Sequence, residues 1–559
     1  MTADTDARDP RRAMARLLGR WGPFVAVLVL VAAAVALFRD GGGDDDLGAG
    51  EVLTDREELV RSGPMTPERA ELEGRDDVEF GASCDAETGR IKLPTVYAPP
   101  CVAPFDGDNG GAISEGVTEE AVRVTAYVPH PDALTAGVVE GAGVDLDRRR
   151  RIETIRGYVD LYNQLSETYG RRVEVEFFEG TGAGDDGAAA KADAIAIAET
   201  KPFAVIGGPA QASPTFADEL AARGVICLEG CAVGLPDSFM AERSPYVWMG
   251  SPEPWMHLTA EAVIKLAGPG NAAMAGDPEL RQQDRVYAVV HYDTPDGLQA
   301  ESFGSLRDAL ADGGIELATD VELTLEVGRM QETARTTIAQ LEAAGVTTVI
   351  YAGDPLTPQT LTAEATAQDY FPEWILGSNY LADTEQFART YDPDQWRNGF
   401  GVVVASPATE GLGVSDQLYQ WAYGTTPPSD IAGTLEPPLR TLFTGIHLAG
   451  PSLTPETFRD GLHRYPPSGG SPVHPTIDWS GRVGGDATLV WWDPEAEGLD
   501  EGGTRGPGMY RFANGGQRYR PSEIPDTPER AGLFDEGSSV VTYDELPPED
   551  RSPDYPPPG

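Results

Sequence analysis

Gly182-Ala183-Gly184-Asp185-Asp186-Gly187 has the spacing of a dinucleotide-binding loop, set between an expected strand and an expected helix. In such loops the glycines let a pyrophosphate approach the backbone at a helix N-terminus. Here Asp185 and Asp186 stand where that anion would come, and the loop follows the second expected strand rather than the first. It is read as an ordinary loop, and no cofactor is expected. Other reaction chemistry lacks its marks as well. The chain has no G-x-S-x-G turn for a serine nucleophile, no H-E-x-x-H and no Gly-Lys pair for a phosphate loop. His130, His257, His291, His447, His463 and His474 share no ligand spacing, and acidic pairs such as Asp392 and Asp394 fall in polar loops. The expectation is a protein that binds without metal and without making or breaking a bond.

The residues left to weigh are those at strand ends. In open α/β sheets ligands sit beyond the carboxyl ends of strands, where helix N-termini present unpaired N–H groups. Those loops run from Gly207 to Ser213, Glu229 to Cys231, Tyr292 to Thr294, Gly353 to Pro355 and Gly377 to Tyr380. They offer N–H and hydroxyl groups for a carboxylate, and Glu253 or Asp354 for an ammonium. Ser213 and Thr357 suit plain helix capping equally well.

The elements that would position these loops alternate. VRVTAYV from Val122, RRVEVEFF, FAVIGG and VICLEG read as strands, separated by the helix-period segments IETIRGYVDLYNQLSETYG, ADAIAIAE and SPTFADELAARG. A second series follows a Pro-containing extended crossing near Pro252 and Pro254: RVYAVVHY, IELATDVEL, TTVIYAG and EWILGSN, with helices over 297–312, 332–344 and near 361–368. Later helices are expected over 439–449 and 455–462, and short strands around 487–492 and 508–512. Repeated βαβ units mean parallel sheets, and two runs of them mean two α/β lobes in series. Residues 118–252 plus about 406–468 are assigned to the first lobe, and 253–405 plus about 469–520 to the second. Residues 39–83 read as an acidic linker, 84–117 as a cysteine-containing preamble, and 521–559 as a Pro- and acid-rich tail with little apolar surface to bury.

Charge and targeting narrow the partners. The 559 residues hold 42 Lys plus Arg against 90 Asp plus Glu, a formal charge of −48. Such a surface repels phosphate backbones, so nucleic acid is excluded as a partner. Residues 1–20 are Arg-rich, and Trp21 to Phe38 is an uncharged apolar run. As a helix that run spans about 27 Å, close to a bilayer core. Either it anchors the chain with a cytoplasmic N-terminus, or it is a signal peptide cut near Ala34-Val35-Ala36; both readings export the body. In an oxidising compartment Cys84, Cys101, Cys227 and Cys231 favour disulfides. Three pairings are open, and the local one, Cys84 with Cys101 and Cys227 with Cys231, is preferred because each pair closes a short loop.

The chain resembles the type I periplasmic binding proteins, in particular the branched-chain amino acid binding subunits of ABC importers, over roughly 118–515. The resemblance rests on FAVIGGPAQASPTFADELAARGVI, on SPYVWMGSPEPW, on RVYAVVHYDTPDGLQAESFGSLRDALADGGIEL, on VTTVIYAGDP and WILGSN, and on the order in which they occur. It implies two Rossmann-like sheets joined by a hinge, closing on a small polar, amino-acid-like or amide ligand that is passed to an ABC permease. Carried over by position, it implies Gln211 and Ser213 for a ligand carboxylate, with Glu229, Gly230, Glu253, Tyr292, Asp354 and Asn379 completing the site. Glu229 and Cys231 depart from the small or hydroxyl residues usual in amino-acid binders. A ligand-sensing ectodomain working with a membrane receptor is the alternative reading, and a cell-envelope hydrolase a third.

Overall fold

The computed structural model describes residues 49–129, 146–209, 213–231, 234–293, 297–378, 381–409, 413–479, 485–501, 503–547 and 550–558, with 136 and 140. Residues 1–58 form one unit and 59–559 another. Of the first, the described part is the start of the helix Ala49–Ser62. The basic stretch and the apolar run Trp21 to Phe38 lie outside the described residues; among the described residues no helix is long and apolar enough to cross a membrane. The two large sheets both belong to the second unit.

The first sheet is parallel, in the order β2-β1-β3-β4, from β1 (Ala121–Val128), β2 (Arg172–Glu179), β3 (Ala204–Ile206) and β4 (Ile226–Cys227). Core packs on both faces of β1, which is why Val122 and residues 124–128 are all buried. Val122, Val124 and Ala126 join Ile155, Tyr158 and Tyr162 of the helix Arg148–Leu165, and Leu439, Phe443 and Ile446 of the helix Ala432–Ala449, in one core. On the other side Val205 and Cys227 pack with Ala194, Ile197, Phe216 and Leu220.

The second sheet has eight strands in the order β12-β11-β9-β8-β7-β5-β6, with β13 paired to β11. These are β5 (Tyr287–Tyr292), β6 (Leu317–Leu323), β7 (Thr348–Ala352), β8 (Glu373–Ser378), β9 (Phe400–Val403), β11 (Ala487–Leu499), β12 (Arg505–Phe512) and β13 (Arg518–Tyr519). The runs YAVVHY and TVIYA are buried at every position, as inner strands of a doubly covered sheet must be. β5 to β9 are parallel, whereas β11 pairs antiparallel with both β9 and β12. Two short strands, β10 (Ala408–Thr409) and β14 (Thr542–Tyr543), pair with each other alone.

Several boundaries differ from expectation. The helix Glu253–Ala262 starts on Pro252 and Pro254, so those prolines open a helix instead of stretching a crossing; proline suits the first turn, where its missing N–H costs nothing. The helix expected over 439–449 begins at Ala432 and contains Pro437 and Pro438 in its second turn, where each forgoes one i→i−4 backbone bond. The C-terminal stretch is no free tail. Ile524, Ala531 and Leu533 are buried in the second lobe's core. Nor are 59–83 a bare linker, since Val60, Thr66 and Ala70 are buried. Both disulfides join the local partners, Cys84 to Cys101 and Cys227 to Cys231.

His447 ties three of these pieces together. Its Nδ1 accepts the Glu167 N–H at 2.8 Å and its Nε2–H donates to the Pro100 carbonyl at 2.8 Å, which fixes the neutral tautomer. Burial pushes its pKa down to about 4. The unfolded chain therefore binds the extra proton first, and stability from this group is present above pH 6.5 and is lost as pH falls toward 4. Between pH 7.5 and pH 5 the loss is about 2 kcal/mol. Urea unfolding at the two pH values should show a component of that size that disappears in His447→Gln; an unchanged pH slope in the variant would contradict it.

Candidate ligand-binding site

Strand order decides where a cleft can open. In the first sheet the connections out of β1 go one way to β2 and the other to β3; in the second they diverge likewise from β5 to β6 and β7. Such switch points leave a crevice beyond the carboxyl ends of the strands. The chain changes sheets three times: at 248–252, between Val403 and Val414, and between Tyr465 and Ala487. The middle crossing is pinned. Asp383 accepts the N–H groups of Val404 and Ala405, while Arg518 donates to the carbonyls of Val404 and Ala405 and to Ser406 Oγ.

A cavity of about 1260 Å³ opens at these strand ends. From the first lobe it is lined by Tyr127 at the end of β1 and Pro129 just after it, Gly182, Gly184 and Asp185 after β2, Pro209 after β3, and Arg150 and Arg151. From the second come Leu325 to Arg329 after β6, Pro355 and Leu356 after β7, and Leu381 and Phe387. Pro407, Val414, Pro427, Pro428, Ile431 and Val473 add further apolar surface. The G-x-G-x-x-G segment thus reaches the cleft, but Asp186 uses its carboxylate to cap the helix Gly187–Glu199 through the N–H groups of Ala188 and Ala189. That arrangement fits a helix start: the N–H groups of Ala188 and Ala189, which a pyrophosphate would need, are taken by the Asp186 carboxylate.

The charged lining is mixed, and much of it is muted. Burial and the adjacent Glu501 carboxylate hold Glu385 well above the usual carboxyl range. Burial, with Asp430 nearby, pushes Asp416 up to about 6. Asp500 is paired with Arg389 at 2.8 Å, and Arg329 with Glu326 at 3.4 Å. The cations of the lining include Arg150 and Arg151, within a run of four arginines that opens the helix Arg148–Leu165. Cations at a helix N-terminus oppose the backbone dipole. Asp147 caps the end by accepting the Arg150 N–H, and Arg148 reaches Glu179 at 3.6 Å. The energetic awkwardness of this run in an acidic chain was the one sequence signal for these two lining residues.

The nominated residues fare differently. Gln211 and Asn379 lie outside the described residues. Ser213 is fully buried at the start of the helix Ser213–Ala222. Asp354 caps the helix Thr357–Ala367: its carboxylate accepts the N–H groups of Leu356 and Thr357 and the Thr357 hydroxyl, and burial raises its pKa. Glu253 accepts the Asp237 N–H and the Ser251 hydroxyl, and Glu229 the Thr441 hydroxyl; burial raises both pKa values. Tyr292 is buried at the end of β5, and Gly230 is exposed with φ +77° in the loop closed by Cys227 and Cys231. None of these six lines the cavity, although Pro209, Pro355, Leu356 and Leu381, neighbours in sequence of nominated positions, do.

Among solved structures the chain is similar to the fatty acid ABC transporter substrate-binding protein from Thermomonospora curvata, at 13% identity and a TM-score of 0.51 over 75% of this chain and 98% of that one. It is also similar to the leucine-, isoleucine-, valine-, threonine- and alanine-binding protein from Brucella ovis in its closed conformation, at 11% identity and a TM-score of 0.49 over 73% of this chain and 98% of that one. No protein-family model and no curated protein matches the sequence. The two sheets, their strand order and the first of these likenesses define a type I periplasmic binding fold, the fold of ABC-transporter substrate-binding proteins. About a quarter of this chain lies beyond the part shared with the Thermomonospora protein.

Proposed function

We propose that this chain is an exported solute-binding protein, tethered or secreted through its N-terminal apolar run, that closes its two lobes about the inter-sheet crossings on a solute and presents it to an ABC permease. The observation that carries the proposal is the cleft at the carboxyl ends of both sheets, with a wall from each lobe. Its two disulfides support an oxidising compartment. Its size and lining favour a solute larger and less polar than an amino acid. A cavity of about 1260 Å³ exceeds the range typical of drug-sized ligands. Arg150 and Arg151 supply charge for a carboxylate, and the prolines, leucines and Phe387 a bed for an apolar body. The fatty-acid designation of the Thermomonospora neighbour supports the same class.

Closure in this scheme is a population shift, driven by contacts the solute makes with both lobes at once. Calorimetry and thermal shift with leucine, benzoate and dodecanoate test the reading. Dodecanoate at about 100 times its Kd should stabilise the protein by about 2.7 kcal/mol. Charge-assisted hydrogen bonds are worth about 1.5–3 kcal/mol each, so Arg150→Ala with Arg151→Ala should weaken dodecanoate binding by at least about tenfold. No response to any of the three, or equal binding by the double variant, would overturn the proposal.

A further inference from the structure

The last described residues, 540–547 and 550–558, hold a tight 3-10 turn at Asp550 and one two-residue strand, and they are held at both ends on different lobes. On the second lobe Val540 exchanges both backbone hydrogen bonds with Phe512 of β12, at 2.7 and 3.0 Å, and Tyr543 OH donates to the Gly515 carbonyl at 2.6 Å. On the first, the Trp421 indole N–H donates to the Tyr555 carbonyl at 2.7 Å, and Tyr555 OH donates to Asp85 Oδ2 at 2.6 Å. Trp421 belongs to the helix Val414–Tyr423, and Asp85 adjoins the Cys84–Cys101 disulfide, whose loop buries Ile91, Leu93 and Ala98 in the first lobe's core.

Between these anchors the segment meets the cleft. Leu546 and Ser552 line the cavity, and Asp550, only 2% exposed, places Oδ1 3.7 Å from Nδ1 of the lining residue His474. Arg551 braces the segment internally, donating to the Leu546 carbonyl and to Glu545. The Asp550 N–H also donates to the Pro547 carbonyl at 2.9 Å, so the segment turns between its anchors, and two fixed ends limit its span.

We propose that this C-terminal segment is a strap that ties the second lobe to the first and supplies part of the cleft wall, so that full opening of the cleft requires Tyr555 to leave Trp421 and Asp85. The strap limits the width to which the lobes part and slows escape of a bound solute past Leu546 and Ser552. Its role in solute retention rests on the binding function proposed above; its mechanical role does not.

The test compares three proteins: the full chain, a chain ending at Tyr543, and the full chain with Tyr555→Phe and Trp421→Phe, which lose the anchoring donors while keeping aromatic rings. Spin labels introduced as non-canonical amino acids replace Asp160 on the first lobe and Arg335 on the second, both exposed. Pulsed dipolar distances are recorded with no solute present. One narrow distance is expected for the full chain, and an added longer population for both altered proteins. Stopped-flow dissociation of dodecanoate should be about tenfold faster from the shortened chain. Superimposable distance distributions in all three would overturn the strap, whatever the solute data show. Longer distances with no carboxylate binding would uphold the strap and overturn the ligand assignment. If the shortened chain does not fold, the double variant alone decides, since it retains every residue of the segment.

Discussion

Arg518→Ala is expected to lower unfolding stability by about 3–5 kcal/mol, the cost of leaving a buried carboxylate without its partner. Arg518 and Asp486 are 1% and 3% exposed, with Nε 2.8 Å from Oδ1. Asp486 also accepts the N–H and hydroxyl of Thr476. The remaining guanidinium donors go to Val404, Ala405 and Ser406, so one side chain joins β13, the segment before β11 and the middle crossing between lobes. Truncation strands all of these groups at once. Equilibrium denaturation with guanidinium chloride should show the loss, and Arg518→Lys should recover only part of it, because an ammonium cannot reproduce the fork. A loss below about 1 kcal/mol would show that water replaces the guanidinium cheaply and that the pair is dispensable.

Gly207→Val should cost a comparable amount by a different route. Gly207 sits just past β3 with φ +71°, where a Cβ would stand 2.7 Å from the Tyr127 carbonyl oxygen. A branched residue there carries backbone strain of about 1–3 kcal/mol and an overpacking term of similar size. Gly224→Ala is the control: φ is +75°, but nothing lies within 4 Å of the added carbon. That substitution should lose only the backbone strain. Equal losses at the two positions would mean that the close approach of β1 and β3 relaxes freely and that the first lobe's strand ends are pliable.

Most of the architecture was legible because inner parallel strands leave an unmistakable record. YAVVHY and TVIYA cannot be anything but doubly covered strands between helix-period segments. The local disulfides were legible for the same kind of reason, each closing a short loop. The cleft was much less so. Loops at strand ends pointed to the right region, but the carboxylates of Asp354, Glu253 and Glu229 accept hydrogen bonds inside the protein. A helix cap and a ligand contact require the same residue types, and sequence does not say which the backbone will claim. Most lining side chains come from segments with no period at all, such as Pro427 to Ile431, whose positions depend on contacts distant in sequence. The C-terminal stretch misled through its composition. A few apolar residues, Ile524 and Leu533 among them, suffice to dock a proline-rich chain that has little conformational entropy to lose.

The helix Ala432–Ala449 covers a face of the first sheet whose last strand, β4, ends at Cys227. During synthesis that sheet must wait for about two hundred further residues before its apolar side is closed, and Tyr555 meets Asp85 only at a separation of 470 positions. Contacts so far apart along the chain form late and slowly. The first sheet's apolar side therefore stays uncovered until the helix Ala432–Ala449 has been made. For the export proposed above that delay is an advantage, because an uncovered sheet can still be threaded through a channel, and its vulnerability is aggregation wherever holding chaperones are scarce.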